Sequence, residues 1–193
     1  MILQPEFYAR KPVEVARDLV GKVLVRVMDG RRISGRILET EAYGGSDDPA
    51  SHAFRGKTRR NAPMFGPPGR AYVYFIYGNH FCFNVVTAGV GAVLLRSVQP
   101  LEGLDIMKKL RGTDDEENLA SGPGKLTRAF GITPDFNGLP LCRETGLFIE
   151  DDGTRLEVRR TPRIGISRGT ERKWRFVACK WRLGQDSNLR PPG

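Results

Sequence analysis

Cysteine is scarce in this chain. Three occur in 193 residues, Cys82, Cys142 and Cys179. They are too few and too scattered for a disulfide framework or a cysteine-ligated zinc site. Histidine is scarcer, with two residues. These shortages set the expectation of a reducing compartment and of no metal or other cofactor. No apolar run approaches the roughly 20 residues of a membrane span, so no membrane partner is expected. The opening residues Met1 to Glu6 lack the basic and then apolar pattern of a secretory signal. No internal repeat, low-complexity tract or linker interrupts the chain. One domain is expected, long enough to bury a sizeable core.

An acidic balance is missing too. The net charge is +9, from 31 basic and 22 acidic residues. Residues 1–154 hold 20 Lys/Arg against 19 Asp/Glu, whereas residues 155–193 hold 11 against 3. The positive charge is therefore concentrated in the last fifth. A basic face attracts polyanions, nucleic acid first among them. Charge alone leaves a solvated basic surface equally open.

What is present is a sequence of short, well-punctuated elements. Pro12 to Val20 reads as a helix with Ala16, Leu19 and Val20 on its apolar face and Gly21 as its stop. Lys22 to Met28 and Ile33 to Tyr43 read as strands joined at Asp29-Gly30. Alternation predicts Ile37, Glu39, Glu41 and Tyr43 on one face, with Leu38, Thr40 and Ala42 on the other. Residues 44–69 read as a long loop, which in a compact domain is functional or disordered. Ala71 to Tyr77, Phe81 to Thr87 and Ala92 to Val98 read as a meander. Helices are expected over Pro100 to Leu110 and Lys125 to Phe130, the second capped by Ser121. Four further strands are expected at 147–150, 156–160, 163–167 and 175–179. These elements predict an α+β fold with a curved, mainly antiparallel sheet flanked by helices.

The chemistry-bearing residues crowd into Arg36 to Asn84. This stretch carries Glu39-Thr40-Glu41-Ala42-Tyr43, His52, Arg59-Arg60-Asn61, Met64-Phe65, Pro68-Gly69, Tyr72-Val73-Tyr74, Tyr77-Gly78 and Phe81-Cys82-Phe83-Asn84. An acid, a histidine, four tyrosines and an asparagine suit a site that stacks a flat ring and hydrolyses a bond to it. Taken singly, each has a blander reading: a strand carboxylate paired with arginine, or a half-buried strand aromatic. Gly122-Pro123-Gly124-Lys125 is not a nucleotide-binding P-loop, because the first glycine of that motif is absent.

The run resembles the alkyladenine (3-methyladenine) DNA glycosylases, base-excision repair enzymes that release damaged purines from DNA. The resemblance continues through Leu94-Leu95-Arg96, Pro100 to Gly103, Ser121 to Leu126 and Arg163 to Ile166, and covers roughly residues 5–178. It implies a monofunctional glycosylase domain over 1–178, acting as a monomer on double-stranded DNA that carries an alkylated or deaminated purine. It implies Glu41 as general base, with Arg96 holding the attacking water. Tyr43, His52, Tyr74, Asn84, Leu94 and Ile166 would form the base pocket. Tyr77 would be the wedge that fills the vacated stack. Arg59, Arg60, Asn61, Lys125 and Arg163 would meet DNA, as would Arg168, Arg172 and Lys173. No lysine falls in the matched pocket to form a Schiff base with the sugar, so an intact abasic site is the expected product. The expected location is the cytoplasm, on the nucleoid, in a prokaryote, or the nucleus in a eukaryote. Residues 179–193 depart from the family pattern and are expected to be a disordered tail. Two other readings stay open: a lesion-binding protein without activity, and a hydrolase of free nucleosides.

Overall fold

The computed structural model describes residues 1–76, 78 and 80–179. Its centre is strand β2 (Arg31–Tyr43), which pairs along one edge with β5 (Gly91–Glu102). Its other edge is shared. Residues 31–36 pair with β1 (Val23–Met28), and residues 39–41 pair with β8 (Arg175–Ala178). Beyond β5 lie β4 (Phe81–Thr87) and β3 (Ala71–Phe75); beyond β1 lies β6 (Leu147–Glu150). Strand β7 (Val158–Thr161) pairs only with β8 among the described strands. Every pairing in this eight-stranded sheet is antiparallel. The α+β architecture with a curled antiparallel sheet is thus the one expected.

The Asp29-Gly30 turn has positive φ at both residues, 50° and 73°, as a two-residue hairpin requires to match strand twist. Helix α1 (Pro5–Tyr8) and helix α2 (Pro12–Leu19) follow the N-terminal strand-like residues. Helix α2 starts on Pro12, whose missing N–H has no helical partner to lose. It buries Val15, Ala16 and Leu19 against the sheet. The Thr40 hydroxyl donates to the Ala16 carbonyl at 2.7 Å and ties helix to strand. Helices α3 (Leu104–Arg111) and α4 (Pro123–Ala129) add Met107, Leu126 and Ala129 to the same core, beside Phe83, Val85, Val93, Leu95 and Phe176.

Several expectations are corrected. Residues 100–102 extend β5 rather than opening a helix, because β2 captures them: Gly35 pairs with Pro100 and Ser34 with Glu102. The irregular register there tolerates a proline without an N–H. Ser121 does not cap α4; its hydroxyl donates to Asn118 instead, and Gly122 precedes the helix. Residues 163–167 are not a strand. The simple alternation in β2 also fails at one point. Ile37 pairs with Val98 and Glu39 with Ser97, so Leu38 is an extra, bulged residue. That insertion turns Ile37 into the core, where it is fully buried beside Ala42. The N-terminal residues are held to the fold, since Tyr8 is buried and Ile2 bridges Glu150. The expected disorder of the tail falls on residues of which 180–193 lie outside the described ones. Among the described residues no helix is long and apolar enough to cross a membrane.

Gly35 lies where β2 and β5 cross closely. A Cβ there would lie 2.9 Å from both the Gln99 carbonyl oxygen and Val98 Cγ2, and 3.2 Å from the Phe130 ring. Backbone cannot yield as a flexible side chain can. Gly35→Ala is expected to cost about 2 kcal/mol through overpacking. For a chain of this length that lowers Tm by about 4–8 °C. A thermal melt with an unchanged Tm would show that β2 and β5 can part there.

Candidate active site

The sheet carries one polar and aromatic face opposite its core face. Cross-strand pairing sets a row across it: Arg175 faces Glu41, Glu41 faces Leu94, Leu94 faces Asn84 and Asn84 faces Tyr72. The neighbouring row sets Tyr43 opposite Ala92, and Tyr74 pairs with Cys82 on the far side. A cavity of about 170 Å³ opens on this face, lined by Tyr43, Ala50, His52, Met64, Tyr72, Tyr74, Asn84, Ala92, Gly165 and Ile166. A cavity of about 150 Å³ suffices to hold benzene, so this one has room for a flat ring system rather than a whole nucleotide.

Two walls are aromatic. The His52 and Tyr74 rings stand 4.6 Å apart at 66°, and Tyr72 lies 5.2 Å from Tyr74. His52 Nδ1 and the Tyr72 hydroxyl are hydrogen-bonded at 2.9 Å, which fixes the imidazole plane. Partial desolvation between these rings, reinforced by the positive charge of Arg60, holds His52 below the ordinary imidazole value. The imidazole is therefore neutral at pH 7 and able to stack or bond a base edge. Burial pushes the Tyr72 phenol up to about 12 and raises Tyr74 further, so both stay protonated.

Glu41 stands behind the Tyr43 wall and is fully buried. Its Oε1 accepts the Ile164 backbone N–H at 2.7 Å. Its Oε2 accepts the Tyr43 hydroxyl at 2.8 Å and Arg96 Nη1 at 3.3 Å. A carboxylate offers about four acceptor directions, so one remains for a further donor such as water. Burial, and then the adjacent Glu41 charge, raise the Tyr43 phenol far above its ordinary value, so Tyr43 acts as a donor. Burial disfavours the charge of Arg96, but the carboxylates of Glu41 and Glu39 outweigh it and the guanidinium is held charged. Asn84 is buried at the cavity wall with its amide N–H on the Tyr72 carbonyl at 3.1 Å.

The structure brings together Glu41, Arg96, Tyr43, His52, Tyr74, Asn84 and Ile166. Four sequence-derived placements are corrected. Leu94 is buried in the row between Glu41 and Asn84 and does not line the cavity; Ala92 does. Asn61 is buried and cannot reach a phosphate. Its amide donates to the His52 and Gly56 carbonyls and accepts the Thr58 N–H, which organises the 52–61 loop. Arg163 is likewise unavailable to DNA. Its side chain has no exposed surface and forms a two-pronged pair with the equally buried Asp48, at 2.6 and 2.8 Å. Arg172 is committed to the Asp47 carbonyl and stacks on Trp174.

Arg59 and Arg60 stay exposed beside the cavity mouth, with Arg60 5.3 Å from the centre of the Tyr74 ring. Lys125 does not line the cavity. Its ammonium bonds Asn118 and Ser121, at the start of a helix that abuts His80. Tyr77 lies outside the described residues. Tyr72 was legible from the pattern, since it shares a strand face with Tyr74. Asp48, Met64, Ala50, Gly165 and the Ile164 N–H had no local signal.

The profile of the family described as methylpurine-DNA glycosylase (MPG) matches residues 6–181. Three similar proteins each carry the name "Putative 3-methyladenine DNA glycosylase". The protein of Carboxydothermus hydrogenoformans is 48% identical over 181 residues, covering 91% of this chain and 94% of its own. That of Chlorobaculum parvum is 49% identical over 184 residues, covering 92% and 88%. That of Methanocella arvoryzae is 47% identical over 182 residues, covering 91% of each. A family match across nearly the whole chain, together with relatives at this identity, establishes that the chain belongs to the methylpurine-DNA glycosylase family and is a DNA glycosylase of that kind.

Proposed function

We propose that this protein extrudes an alkylated purine of the 3-methyladenine or 7-methylguanine type, or a deaminated purine, from duplex DNA and hydrolyses its glycosidic bond directly. The observation that carries the reading is the pairing of a buried carboxylate with an aromatic cavity of single-base size. Glu41 keeps one acceptor direction free, and water bound there is aimed at the sugar carbon of a base held between Tyr43, His52 and Tyr74. The carboxylate takes the proton of that water and stabilises the positive charge that develops on the sugar. Arg96 holds Glu41 and the water in place. Electron-rich rings favour electron-poor alkylated purines. Asn84, fixed by the Tyr72 carbonyl, opposes the amino group of guanine, a penalty that normal guanine cannot offset and that the stacking of a cationic 7-methylguanine can. Tyr77 fills the gap in the stack, and Arg59, Arg60 and Lys125 hold phosphates. The enzyme works as a monomer and leaves an unbroken abasic strand.

The test is release of free base from a duplex bearing one hypoxanthine or one alkylated purine, with a lesion-free duplex as control. Release from the lesion duplexes alone, with an intact backbone, is expected. Binding should weaken steeply with salt, as counterion release from phosphates demands. Cleavage of free nucleosides with no salt-sensitive duplex binding would favour a nucleoside hydrolase. Binding without release would favour a lesion sensor.

A further inference from the structure

We infer that Glu39 is a positioning residue that holds Arg96 back from Glu41 and so leaves the Glu41 carboxylate free to take the proton of water. This rests on the reading of Glu41 as general base. The starting point is a second bulge. Glu39 pairs with Ser97 and Thr40 with Leu95, so Arg96 is the unpaired residue of β5 between them. Bulges of this kind re-aim a side chain, and here Arg96 reaches both acids on β2. A guanidinium facing one carboxylate grips it with two parallel N–H bonds. At this site the grip is divided. Arg96 Nε lies 2.7 Å from Glu39 Oε1, whereas Nη1 lies 3.3 Å from Glu41 Oε2. The shorter contact belongs to Glu39.

Glu39 is itself shared. Arg175 Nε approaches the same Oε1 at 2.6 Å, and Arg175 also donates to the Thr161 hydroxyl. The order Arg175, Glu39, Arg96, Glu41 therefore alternates in charge, with Glu41 at the buried end. The side chains are 16–19% exposed except for Glu41, which is 0% exposed, so salt screens them little. The charged and titratable groups facing Glu41 are Glu39 and Tyr43 from β2, Arg96 from β5, Cys82 from β4 and Arg175 from β8, with Arg163 behind the Tyr43 ring. Within this set Glu39 is the one other carboxylate. It repels charge on Glu41 directly, and it occupies the arginine that would otherwise clamp Glu41 and weaken it as a base.

The consequence has a sign. Glu39→Gln releases Arg96 onto Glu41, so the acid limb of the pH–rate profile should move about one unit to lower pH. The plateau rate should fall about tenfold as the base weakens. Arg175→Gln should act oppositely. It leaves Glu39 with Arg96 alone, strengthens that grip and moves the limb to higher pH. The experiment is single-turnover base release between pH 4 and 9 from a duplex with one 7-methylguanine. Methylation makes this base cationic while it is still attached, so it leaves as a neutral molecule without taking up a proton, and the limb reports the base. Wild type, Glu39→Gln, Arg175→Gln and Glu41→Gln are compared, with duplex affinity measured alongside. Opposite displacements at unchanged affinity are expected. General damage lowers the rate at every pH without moving the limb, and that result overturns the inference. If Glu39→Gln does not fold, an unmoved limb in Arg175→Gln overturns it alone. Substantial activity in Glu41→Gln removes the underlying reading instead. An inactive Glu41→Gln with unmoved limbs leaves that reading standing and ends this one.

Discussion

Glu41→Gln is expected to lower base release by about 10³- to 10⁴-fold while duplex binding stays within a few-fold of wild type. General-base catalysis by a positioned side chain contributes about 10²–10⁴-fold, and the lost negative charge withdraws stabilisation from the cationic sugar as well. The fold should survive the change. Glu41 is buried, and removing a buried charge relieves desolvation. The amide oxygen can still accept the Ile164 N–H, and the Tyr43 hydroxyl can turn to accept from the amide. Arg96 keeps its shorter contact with Glu39. The measurement is single-turnover release from a lesion duplex, set beside equilibrium binding and a thermal melt. Equal release by variant and wild type would place the base elsewhere, with Glu39 the next residue to change. A loss of binding in step with activity would make Glu41 a structural residue.

The parts of this site legible in the sequence are those set by strand period and local motif. Alternation placed Glu41 and Tyr43 on one face, and the meander placed Tyr74 and Asn84 across from them, because side-chain direction repeats every two residues. Two kinds of feature had no such signal. The first is the pair of bulges. An extra residue at Leu38 sends Ile37 into the core, and an extra residue at Arg96 aims that side chain at two acids. Neither changes composition or local propensity, so alternation reads straight through both. The second is pairing across the chain. Asp48 and Arg163 are separated by 115 residues, and each reads locally as a loop charge. Burial decided their roles, as it did for Asn61, whose amide closes a loop instead of facing a phosphate. Basic residues near a nucleic-acid site invite assignment to phosphates. Only those with exposed heads can serve, and Arg163 has none.

Arg163→Ala should be the most destabilising single change near the site, at about 3–5 kcal/mol, because it leaves the Asp48 carboxylate buried without its cation. The expected loss of activity is larger than misfolding explains. Arg163 Nη1 also donates to the Ala42 carbonyl and Nη2 to the Gly169 carbonyl, while Asp48 accepts the Gly44 and Ala50 N–H groups. The pair thereby fastens the loop after β2 to the 163–169 segment. That segment supplies the Ile164 N–H to Glu41 and sets Gly165 and Ile166 in the cavity wall. Arg163 further lies between the rings of Tyr43 and Trp174, 4.8 and 5.2 Å from their centres. Replacing both charges, as Arg163→Met with Asp48→Asn, should recover part of the stability, since a buried ion pair competes poorly with neutral packing. It should not restore base release, because the carbonyl anchors are still missing. Acid supplies an independent check. Burial opposes ionisation of Asp48, but the Arg163 hydrogen bonds and the Gly44 N–H outweigh it and hold the carboxyl below its ordinary value. Its contribution is complete above the unfolded value of about 3.9 and is lost as pH falls through the lower folded value. Wild type should therefore lose stability more steeply than Asp48→Asn below about pH 4. Denaturant titrations across that range decide the matter, and parallel slopes for the two proteins would mean that the pair is not the clamp.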